Sequence, residues 1–359
     1  MTQRERQILN LIAANPMISQ QELADTLNIT RSSVAVHISN LLKKGYIAGK
    51  GYVLRTGSYA VVVGGVNVDI GGRSHAKLVA ADSNPGRVSI SLGGVGRNIA
   101  HNMSLLGLDV KLLTAMGQDV YGNRIAESCK ALGIDASHAL RVSDCTTSTY
   151  LYIADEAGEM AMALSDMEIC DRITPSYLAA NQQILQNAQV IVADANIPAE
   201  TLVYLAENCT APIFCDSVST IKAEKLRPIL SKIHTLKPNW LEAELLTGMA
   251  IHSKAEAEAA AKVLLDRGVQ RVFLSMGSEG MYAATAEEQC WMANIPGNMV
   301  NTTGCGDSVM AALVWAWMND LDLKESLRAG LAAGAITMES TETINPAMSA
   351  TALKLRMSE

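Results

Sequence analysis

The sequence lacks several patterns that would assign it to a common class of protein. Its seven cysteines are scattered, with no Cys-x-x-Cys pair and no histidine cluster beside them, which argues against a disulfide framework and a structural zinc site. The longest apolar run, residues 309–318, is far shorter than the ~20 residues that span a bilayer. The charged N-terminus contains no apolar export segment. We therefore expect a cytoplasmic protein with reduced thiols and no membrane partner.

The composition is that of a globular protein, but the charge is unevenly distributed. Of the 359 residues, 49% are hydrophobic and 18% are charged, which suits one large domain and one small one. Residues 1–57 carry +4 of the net charge of −7, so residues 58–359 carry −11. This asymmetry predicts a small basic module that meets a polyanion, joined to an acidic body with a different task.

Residues 1–57 have the pattern of three helices followed by a small hairpin. Apolar residues repeat at helical spacing over residues 8–12, and a second helix begins at the capping box of residues 19–22. Thr30 caps a third helix that runs to about Lys44. Its buried face is expected to contain Val34, Ile38, Leu41 and Leu42. Residues 46–54 read as two short strands around a glycine turn.

This segment resembles a winged helix-turn-helix over its whole length. The residues expected to face the major groove are Arg31, Ser32, Ser33, His37 and Asn40. Lys43, Lys44 and Lys50 would lie near phosphates. Small polar residues and an arginine at the start of the third helix favour DNA binding. The alternative is a docking or dimerisation module with a solvated basic face.

From residue 58 onward, short apolar strands alternate with helical stretches. The strand candidates are residues 59–66, 110–116, 190–193, 213–215, 235–237 and 271–276. The helical candidates include residues 98–106, 121–132, 255–267 and 323–338. This alternation predicts one domain with a parallel sheet covered on both faces, and ligands at the carboxyl ends of the strands. Segments 71–92 and 146–165 predict antiparallel strands that form a lid.

A glycine-rich turn, residues 301–307 (NTTGCGD), has the chemistry of phosphoryl transfer. An apolar helix follows it, so the amides of Gly304, Cys305 and Gly306 can face an anion at a helix N-terminus. Asp307 would accept the proton of an attacking hydroxyl group. Taken alone, the motif is also compatible with a capped loop that has no catalytic task. No Walker A pattern is present in the chain.

A second glycine-rich stretch, residues 93–100 (GGVGRNIA), completes a family signature. The two stretches resemble the Gly-Gly-x-x-x-Asn-x-Ala and Asp-Thr-x-Gly-x-Gly-Asp elements of the ribokinase-like (PfkB) carbohydrate kinases. Residues 64–69 (GGVNVD), 239–242 (NWLE) and 275–277 (SMG) match further elements of this family in the right order. The resemblance implies a three-layer α/β/α sandwich with a small β lid, preceded by a small α+β winged helix-turn-helix domain. It also implies a kinase that uses ATP and Mg²⁺.

The resemblance implies a role for each matched residue. Asn67, Asp69 and Asn98, with the backbone of Gly93 and Gly94, would hold sugar hydroxyl groups. Asp307 would be the catalytic base, and the amides of residues 304–306 would stabilise the transferring phosphoryl group. The residues implied for the nucleotide side are Asn239, Glu242, Ser275, Gly277, Thr302 and Asn345. Among these, Glu242 and Asn239 would organise Mg²⁺ largely through water molecules.

Two residues depart from the usual family pattern. Asn301 stands where Asp is usual, which removes a charge near a potential monovalent-cation site and leaves activation by such a cation open. Cys305 stands where Ala is frequent. Its implied role uses only the backbone amide, whereas a low-pKa thiolate at the helix start is the alternative.

Further stretches resemble the bacterial pseudouridine kinases within this family, namely residues 81–86, 94–100, 192–196, 216–219 with Lys222, and 233–239. This implies phosphorylation of the 5′-hydroxyl of a ribonucleoside, with pseudouridine favoured. The candidates to read the base or ribose are Ser83, Asn84, Thr149 and Lys222; a solvated lysine is the alternative for Lys222. The alternative functions are a kinase for another nucleoside or sugar, and a transcription regulator that senses a nucleoside. A homodimer is expected.

Overall fold

The computed structural model describes residues 1–15, 18–47 and 58–359, which form two compact units, Met1–Ser58 and Tyr59–Glu359. The helices of the first unit are α1 (Gln3–Ala14), α2 (Gln20–Leu27) and α3 (Arg31–Lys43). Capping boxes at Thr2 and Ser19 and the Thr30 side chain begin these helices. The three predicted helices are confirmed. The predicted hairpin, including Lys50, falls largely on residues 48–57 and so lies outside the described residues.

One expectation for α3 is wrong. Leu42 is 43% exposed, because the buried stripe of α3 runs through Val34, Ile38 and Leu41, and Leu42 lies about 100° further round the helix. The phosphate contact predicted for Lys44 stays a prediction, and this residue also has a partner within the protein. Its ammonium group pairs with the buried carboxylate of Glu5 at 2.9 Å, which ties the end of α3 to α1.

The second unit contains strands and helices in alternation. Its strands are β1 (Tyr59–Val63), β2 (Asn67–Ser74), β3 (Gly86–Gly93), β4 (Asp109–Leu113), β5 (Ala115–Gly117), β6 (Leu140–Val142), β7 (Thr149–Ala154), β8 (Met160–Asp166), β9 (Val190–Asp194), β10 (Ile213–Asp216), β11 (Thr235–Lys237), β12 (Arg271–Ser275), β13 (Met281–Ala284) and β14 (Gln289–Met292). Its helices are α4 (Val95–Leu105), α5 (Val120–Ala131), α6 (Pro175–Ala180), α7 (Gln182–Asn187), α8 (Ala199–Asn208), α9 (Thr220–Ala223), α10 (Trp240–Thr247), α11 (Lys254–Asp266), α12 (Cys305–Met318), α13 (Leu323–Met338) and α14 (Ala350–Met357).

The main sheet has eight strands in the order β14-β13-β12-β11-β10-β9-β1-β4. Every residue of β1 is buried, and its alternate side chains enter two cores. Val61 and Val63 pack with α6, α8, α10 and α11, while Ala60 and Val62 pack with α4, α5, α12, α13 and α14. The predicted three-layer sandwich is therefore confirmed.

The sequence predicted a parallel sheet, but the observed sheet is mixed. Strand β13 is antiparallel to both of its neighbours, β12 and β14, because the connections between these strands are too short for a crossover helix. The lid is a separate four-stranded sheet in the order β3-β2-β7-β8. The pairs β2–β3 and β7–β8 are antiparallel as expected. The central pair, β2 and β7, is parallel, because the chain between the two hairpins first returns to the main sheet as β4.

Within the part of the chain that the structure describes, no helix has both the length and the apolar composition needed to cross a membrane.

Candidate active site

The predicted anion-binding turn lies at the N-terminus of α12. Gly304 adopts a left-handed conformation (φ 84°), and a Cβ atom there would lie 2.3 Å from the Thr343 carbonyl oxygen, so only glycine fits. The Cys305 amide already donates to Thr302 at 3.3 Å. The amides of Gly306 and Asp307 belong to the first helical turn, which leaves N–H groups without a helical acceptor. This turn can therefore face an anion.

Asp307 is held in place by the helix that follows the other glycine-rich stretch. The Asn98 side-chain amide of α4 donates to Asp307 Oδ2 at 2.9 Å. Burial and the neighbouring Asp216 raise the pKa of Asp307 to about 8, although the Asn98 bond and Lys237 oppose the shift. A carboxyl group that titrates near 8 suits proton transfer at neutral pH.

The sugar-binding residues predicted on β2 lie together. Asn67 donates to Asp69 Oδ1 at 2.8 Å, and burial raises the pKa of Asp69. A Cβ atom on Gly93 would lie 2.2 Å from Asp69 Oδ2, so a side chain at position 93 would displace this carboxylate. Gly94 has a φ of 99° and lies against the backbone of residues 65–67.

Several buried acceptors have no hydrogen-bond partner among the described residues, and two of them belong to predicted sugar-binding residues. These two are the side-chain oxygens of Asn67 and Asn98. Buried polar atoms are nearly always hydrogen-bonded, so such orphaned acceptors indicate a missing ligand. Hydroxyl groups of a sugar are donors of the right kind.

The four predicted base- or ribose-reading residues are not brought to one place. Ser83 and Asn84 lie in the turn beyond the Ser74 end of β2, ~17 Å along the strand from Asp69. The Asn84 side chain makes three hydrogen bonds within its own turn, to the backbone of residues 79 and 82. Their roles stay predictions, and this placement favours a structural task for Asn84.

Thr149 and Lys222 lie nearer to the strand ends. Thr149 begins β7, in register with Val68 of β2, and its hydroxyl group donates to the Thr147 carbonyl at 3.2 Å. Lys222 is half-buried and donates to the Asn196 side-chain oxygen, so it is not the freely solvated lysine of the alternative reading. The substrate-binding roles of both residues stay predictions.

Asn239 and Glu242 form the capping box that begins α10. The Glu242 amide donates to Asn239 Oδ1, and Glu242 Oε2 accepts from the Asn239 amide, each at 2.9 Å. Glu242 Oε2 also accepts from Ser217 at 2.6 Å, so Oε1 remains outside the box. No group of three or more potential ligands occurs among the described residues. This donor set fits a Mg²⁺ ion that keeps its water molecules better than a fully protein-bound ion.

The other nucleotide-side residues have diverse surroundings. Ser275, the last residue of β12, forms a parallel bridge with Asn239. Gly277 has a φ of 56°, and a Cβ atom there would meet open space. Thr302 is exposed. The Asn345 side chain donates to the Ile336 carbonyl at 2.6 Å and accepts from the Ala347 amide at 2.9 Å, which favours a structural role over contact with adenine.

Residues 301 and 305, where the chain departs from the family pattern, are both engaged within the protein. Asn301 bonds the Thr303 amide and the Thr341 carbonyl, and a monovalent-cation requirement stays untested. The Cys305 thiol donates to the Gly334 carbonyl at 3.6 Å. Burial and the adjacent Asp307 raise the pKa of this thiol to about 11. The alternative of a reactive thiolate at position 305 is therefore wrong.

Sequence reasoning missed a row of buried charges at the ends of three neighbouring strands. Asp194, Asp216 and Lys237 are the last residues of β9, β10 and β11 and lie in register with one another. Lys237 Nζ is 3.1 Å from Asp216 Oδ2. In the sequence, these residues are visible only as a charged residue at the end of each apolar strand, and no motif marks them as one group.

Asp194 holds the turn after β1. It accepts hydrogen bonds from the amides of Gly65 at 2.8 Å and Asn196 at 2.9 Å. A Cβ atom on Gly64 would lie 2.3 Å from its Oδ2, so the chain approaches this carboxylate through glycine. Burial raises the pKa of Asp194 to about 6, although these hydrogen bonds oppose the shift.

The predicted DNA-contacting residues lie on α3. Arg31, Ser32 and Ser33 are exposed at its start, while His37 and Asn40 are half-buried. The hydroxyl groups of Ser32 and Ser33 each lie 2.9 Å from the Thr30 hydroxyl. The DNA contacts of all five residues stay predictions.

Known proteins resemble both units. The model of the pfkB family carbohydrate kinases matches residues 58–350, and that of the winged helix-turn-helix DNA-binding family matches residues 1–48. "Uncharacterized sugar kinase YeiI" of Escherichia coli is 39% identical over 98% of this chain and 97% of its own length. The pseudouridine kinase of Escherichia coli is 40% identical over 82% of this chain and 95% of its own.

A solved structure agrees with these relatives. The carbohydrate kinase from Agrobacterium tumefaciens superposes with a TM-score of 0.76 at 27% identity, over 84% of this chain and 97% of its own. The family match covers the glycine-rich turn, the Asn98–Asp307 pair and the lid. The chain therefore belongs to the pfkB family of carbohydrate kinases and is a kinase with an N-terminal winged helix-turn-helix segment.

Proposed function

We propose that this kinase uses ATP and Mg²⁺ to phosphorylate the 5′-hydroxyl of a ribonucleoside, pseudouridine above all, in the cytoplasm. The observation that carries the proposal is the hydrogen bond from Asn98 to Asp307. It joins a residue of the expected sugar subsite to the expected base at the anion-binding turn. The similarity to a pseudouridine kinase over most of the chain supports the choice of substrate.

In the proposed reaction, each group of residues in the site has a separate role. Asn67 and Asp69 orient the ribose through its hydroxyl groups, and Asn98 holds Asp307 toward the 5′-hydroxyl. When bound, ATP supplies the phosphoryl group and Mg²⁺ neutralises part of its charge. Asp307 accepts the hydroxyl proton, and the first-turn amides of α12 stabilise the developing negative charge.

A cavity on the lid favours a nucleoside over a free pentose. It has a volume of about 660 Å³, and its lining includes Gly71, Arg73, Arg87, Ser89 and Tyr152. The alternation of strand residues puts Gly71 and Arg73 on the same face of β2 as Asp69. A ribose held at Asp69 would leave this space empty, whereas an attached base would enter it with arginine donors near its carbonyl oxygens.

The test is ATP consumption by the full-length protein with a panel of nucleosides and pentoses. We expect turnover of pseudouridine well above that of uridine and ribose. Preference for a different nucleoside or for a pentose would contradict the substrate assignment. No turnover with any compound, combined with tight nucleoside binding, would favour the alternative of a nucleoside-sensing regulator.

We propose DNA binding by the N-terminal segment as a second function. The exposed start of α3 supports it, with Arg31 and small polar residues where base contacts are usually made. If each copy contacts about four phosphates, log K should fall with log salt at a slope near −4 per copy. Affinity for DNA that does not change with salt would contradict this proposal.

We also propose that the kinase is a homodimer that pairs through the outer face of the lid. This face carries exposed apolar side chains from neighbouring strands, namely Val88, Ile90, Leu151, Ile153, Met162 and Leu164. A contiguous apolar surface of this kind usually marks an interaction site. The polar face of the same sheet, with Asp69 and Arg73, remains for the substrate.

A further inference from the structure

Lys237 is a buried cation at the anion-binding turn, and no role has been assigned to it so far. It is 7% exposed and closes β11, two residues before the capping box of α10. A Cβ atom on Gly306 would lie 3.4 Å from Lys237 Nζ, so the ammonium group borders the first turn of α12. A lysine is rarely buried to this extent unless it is paired or binds an anion.

Lys237 has one close carboxylate partner and two further acids in its surroundings. Asp216 is 3.1 Å away, and the charges of Glu242 and Asp307 also act on the ammonium group. Because its pKa is raised to about 8, Asp307 carries little negative charge at neutral pH, so the short-range ion pair of the lysine is the one with Asp216. An ammonium group has three protons, so the ion pair with Asp216 leaves protons that can face a ligand beside Gly306.

We propose that Lys237 is a catalytic residue that binds the transferring γ-phosphoryl group of ATP. In the step, the hydroxyl oxygen of the acceptor forms a bond to Pγ and gives its proton to Asp307. The bond between Pγ and the bridging oxygen breaks, and its electron pair leaves with ADP. Lys237 stays protonated throughout and donates a charge-assisted hydrogen bond to a non-bridging oxygen of the moving group.

The inference rests on ATP as the phosphoryl donor, which is part of the proposed function, but not on the identity of the nucleoside. A phosphoryl-binding role of Lys237 also differs from a purely structural role in one measurable respect. A lysine that only neutralises Asp216 becomes dispensable once Asp216 is neutral, whereas a lysine that contacts the γ-phosphoryl group does not.

The experiment compares Mg·ATP and Mg·ADP binding by calorimetry, without acceptor, in the full-length protein. The variants are Asp216→Asn, which keeps the lysine, and the double variant Lys237→Met with Asp216→Asn, which removes both charges and leaves no buried carboxylate unpaired at position 216. Lys232→Met, on the exposed surface, is the control. Thermal unfolding checks that each variant is folded.

We expect the double variant to lose about 10- to 100-fold in affinity for ATP relative to Asp216→Asn, since hydrogen bonds to charged groups are worth ~1.5–3 kcal/mol. Its affinity for ADP should change less than about threefold, and its kcat should fall. Unchanged ATP affinity, or equal losses for ATP and ADP, would overturn the inference. If the unaltered protein binds neither nucleotide, the proposed function fails first. Should the double variant not fold, Lys237→Gln in the Asp216→Asn background is measured in the same way, with the same selective loss expected, because glutamine removes the charge but keeps a polar side chain.

Discussion

Asp307 combines the position and the proton affinity of a general base. It lies in the first turn of α12, accepts a hydrogen bond from Asn98, and titrates near pH 8 because burial and Asp216 disfavour its charge. The motif alone left the role of this residue open, and the second glycine-rich stretch favoured a catalytic role through the resemblance to the family. The proton affinity depends on Asp216, which is 91 positions away in the sequence and could not be inferred from the motif.

We expect Asp307→Asn to lower kcat by on the order of 10²–10⁴ while the dissociation constant for the nucleoside changes little. The amide keeps the size and the contact with Asn98 but cannot accept the proton. Steady-state kinetics and calorimetry measure the two effects. Asp266→Asn, at the exposed end of α11, is the matched control. Full turnover in Asp307→Asn would remove this residue from the mechanism.

The pKa of Asp307 also predicts two dependences on pH. The carboxyl group must be ionised to act as a base, so kcat/KM should rise as the pH rises to about 8. The folded protein holds this proton more tightly than the unfolded chain does, since the ordinary pKa is 3.8. The contribution of Asp307 to the free energy of unfolding is therefore complete at low pH and is lost as the pH rises through about 8.

Urea unfolding of the unaltered protein and of Asp307→Asn from pH 4 to pH 9 separates this contribution. The difference in free energy of unfolding between the two proteins should change as the pH rises to about 8 and level off above that value. A constant difference would contradict the raised pKa.

At the scale of single elements, β2 is a strand of the lid and also carries the proposed sugar-binding residues Asn67 and Asp69. The sequence predicted lid strands here because polar and apolar residues alternate, and the structure assigns the alternate faces to the ligand side and the outer side. Strands β13 and β14 were missed, since each has only four residues and they carry no clear alternation. The exposure of Leu42 on α3 was likewise not predictable, because it depends on where the neighbouring helices pack.

The contact between β2 and β3 gives a prediction for Gly93→Ala. The new methyl group would lie 2.2 Å from Asp69 Oδ2 and 2.9 Å from Asn67 Oδ1, so both side chains must move. Displacement of a binding group by about 1 Å can cost on the order of 10²-fold in kcat/KM. We expect a loss of about 10- to 100-fold, mainly through KM for the nucleoside.

A matched control lies on the facing strand of the same sheet. An added Cβ on Gly72 has its nearest neighbours at 3.8 and 4.0 Å, so Gly72→Ala should keep KM close to that of the unaltered protein. Equal effects of the two substitutions would mean that the loss reflects general disturbance of the lid, and not the position of Asp69.

For the whole molecule, the outer face of the lid predicts the oligomeric state. Leu164 is 66% exposed within the apolar face, so Leu164→Glu should place a charge in the dimer interface and convert the dimer to a monomer. Leu355, on α14, is 67% exposed and provides the control, because Leu355→Glu lies outside this face. Light scattering coupled to size-exclusion chromatography measures the mass. A monomeric unaltered protein would contradict the proposal, as would a dimer unaffected by Leu164→Glu.

The row of Asp194, Asp216 and Lys237 has a consequence for how the sheet assembles. Neighbouring side chains on a strand point to opposite faces, so a slip of one residue between β10 and β11 would turn Asp216 away from Lys237 and into an apolar core. Separating a buried ion pair in this way costs about 3–5 kcal/mol. The charges that border the anion-binding turn thus also destabilise a misaligned sheet. A chain in the wrong register is therefore less stable than the native fold, and it lacks the charge arrangement of the candidate active site.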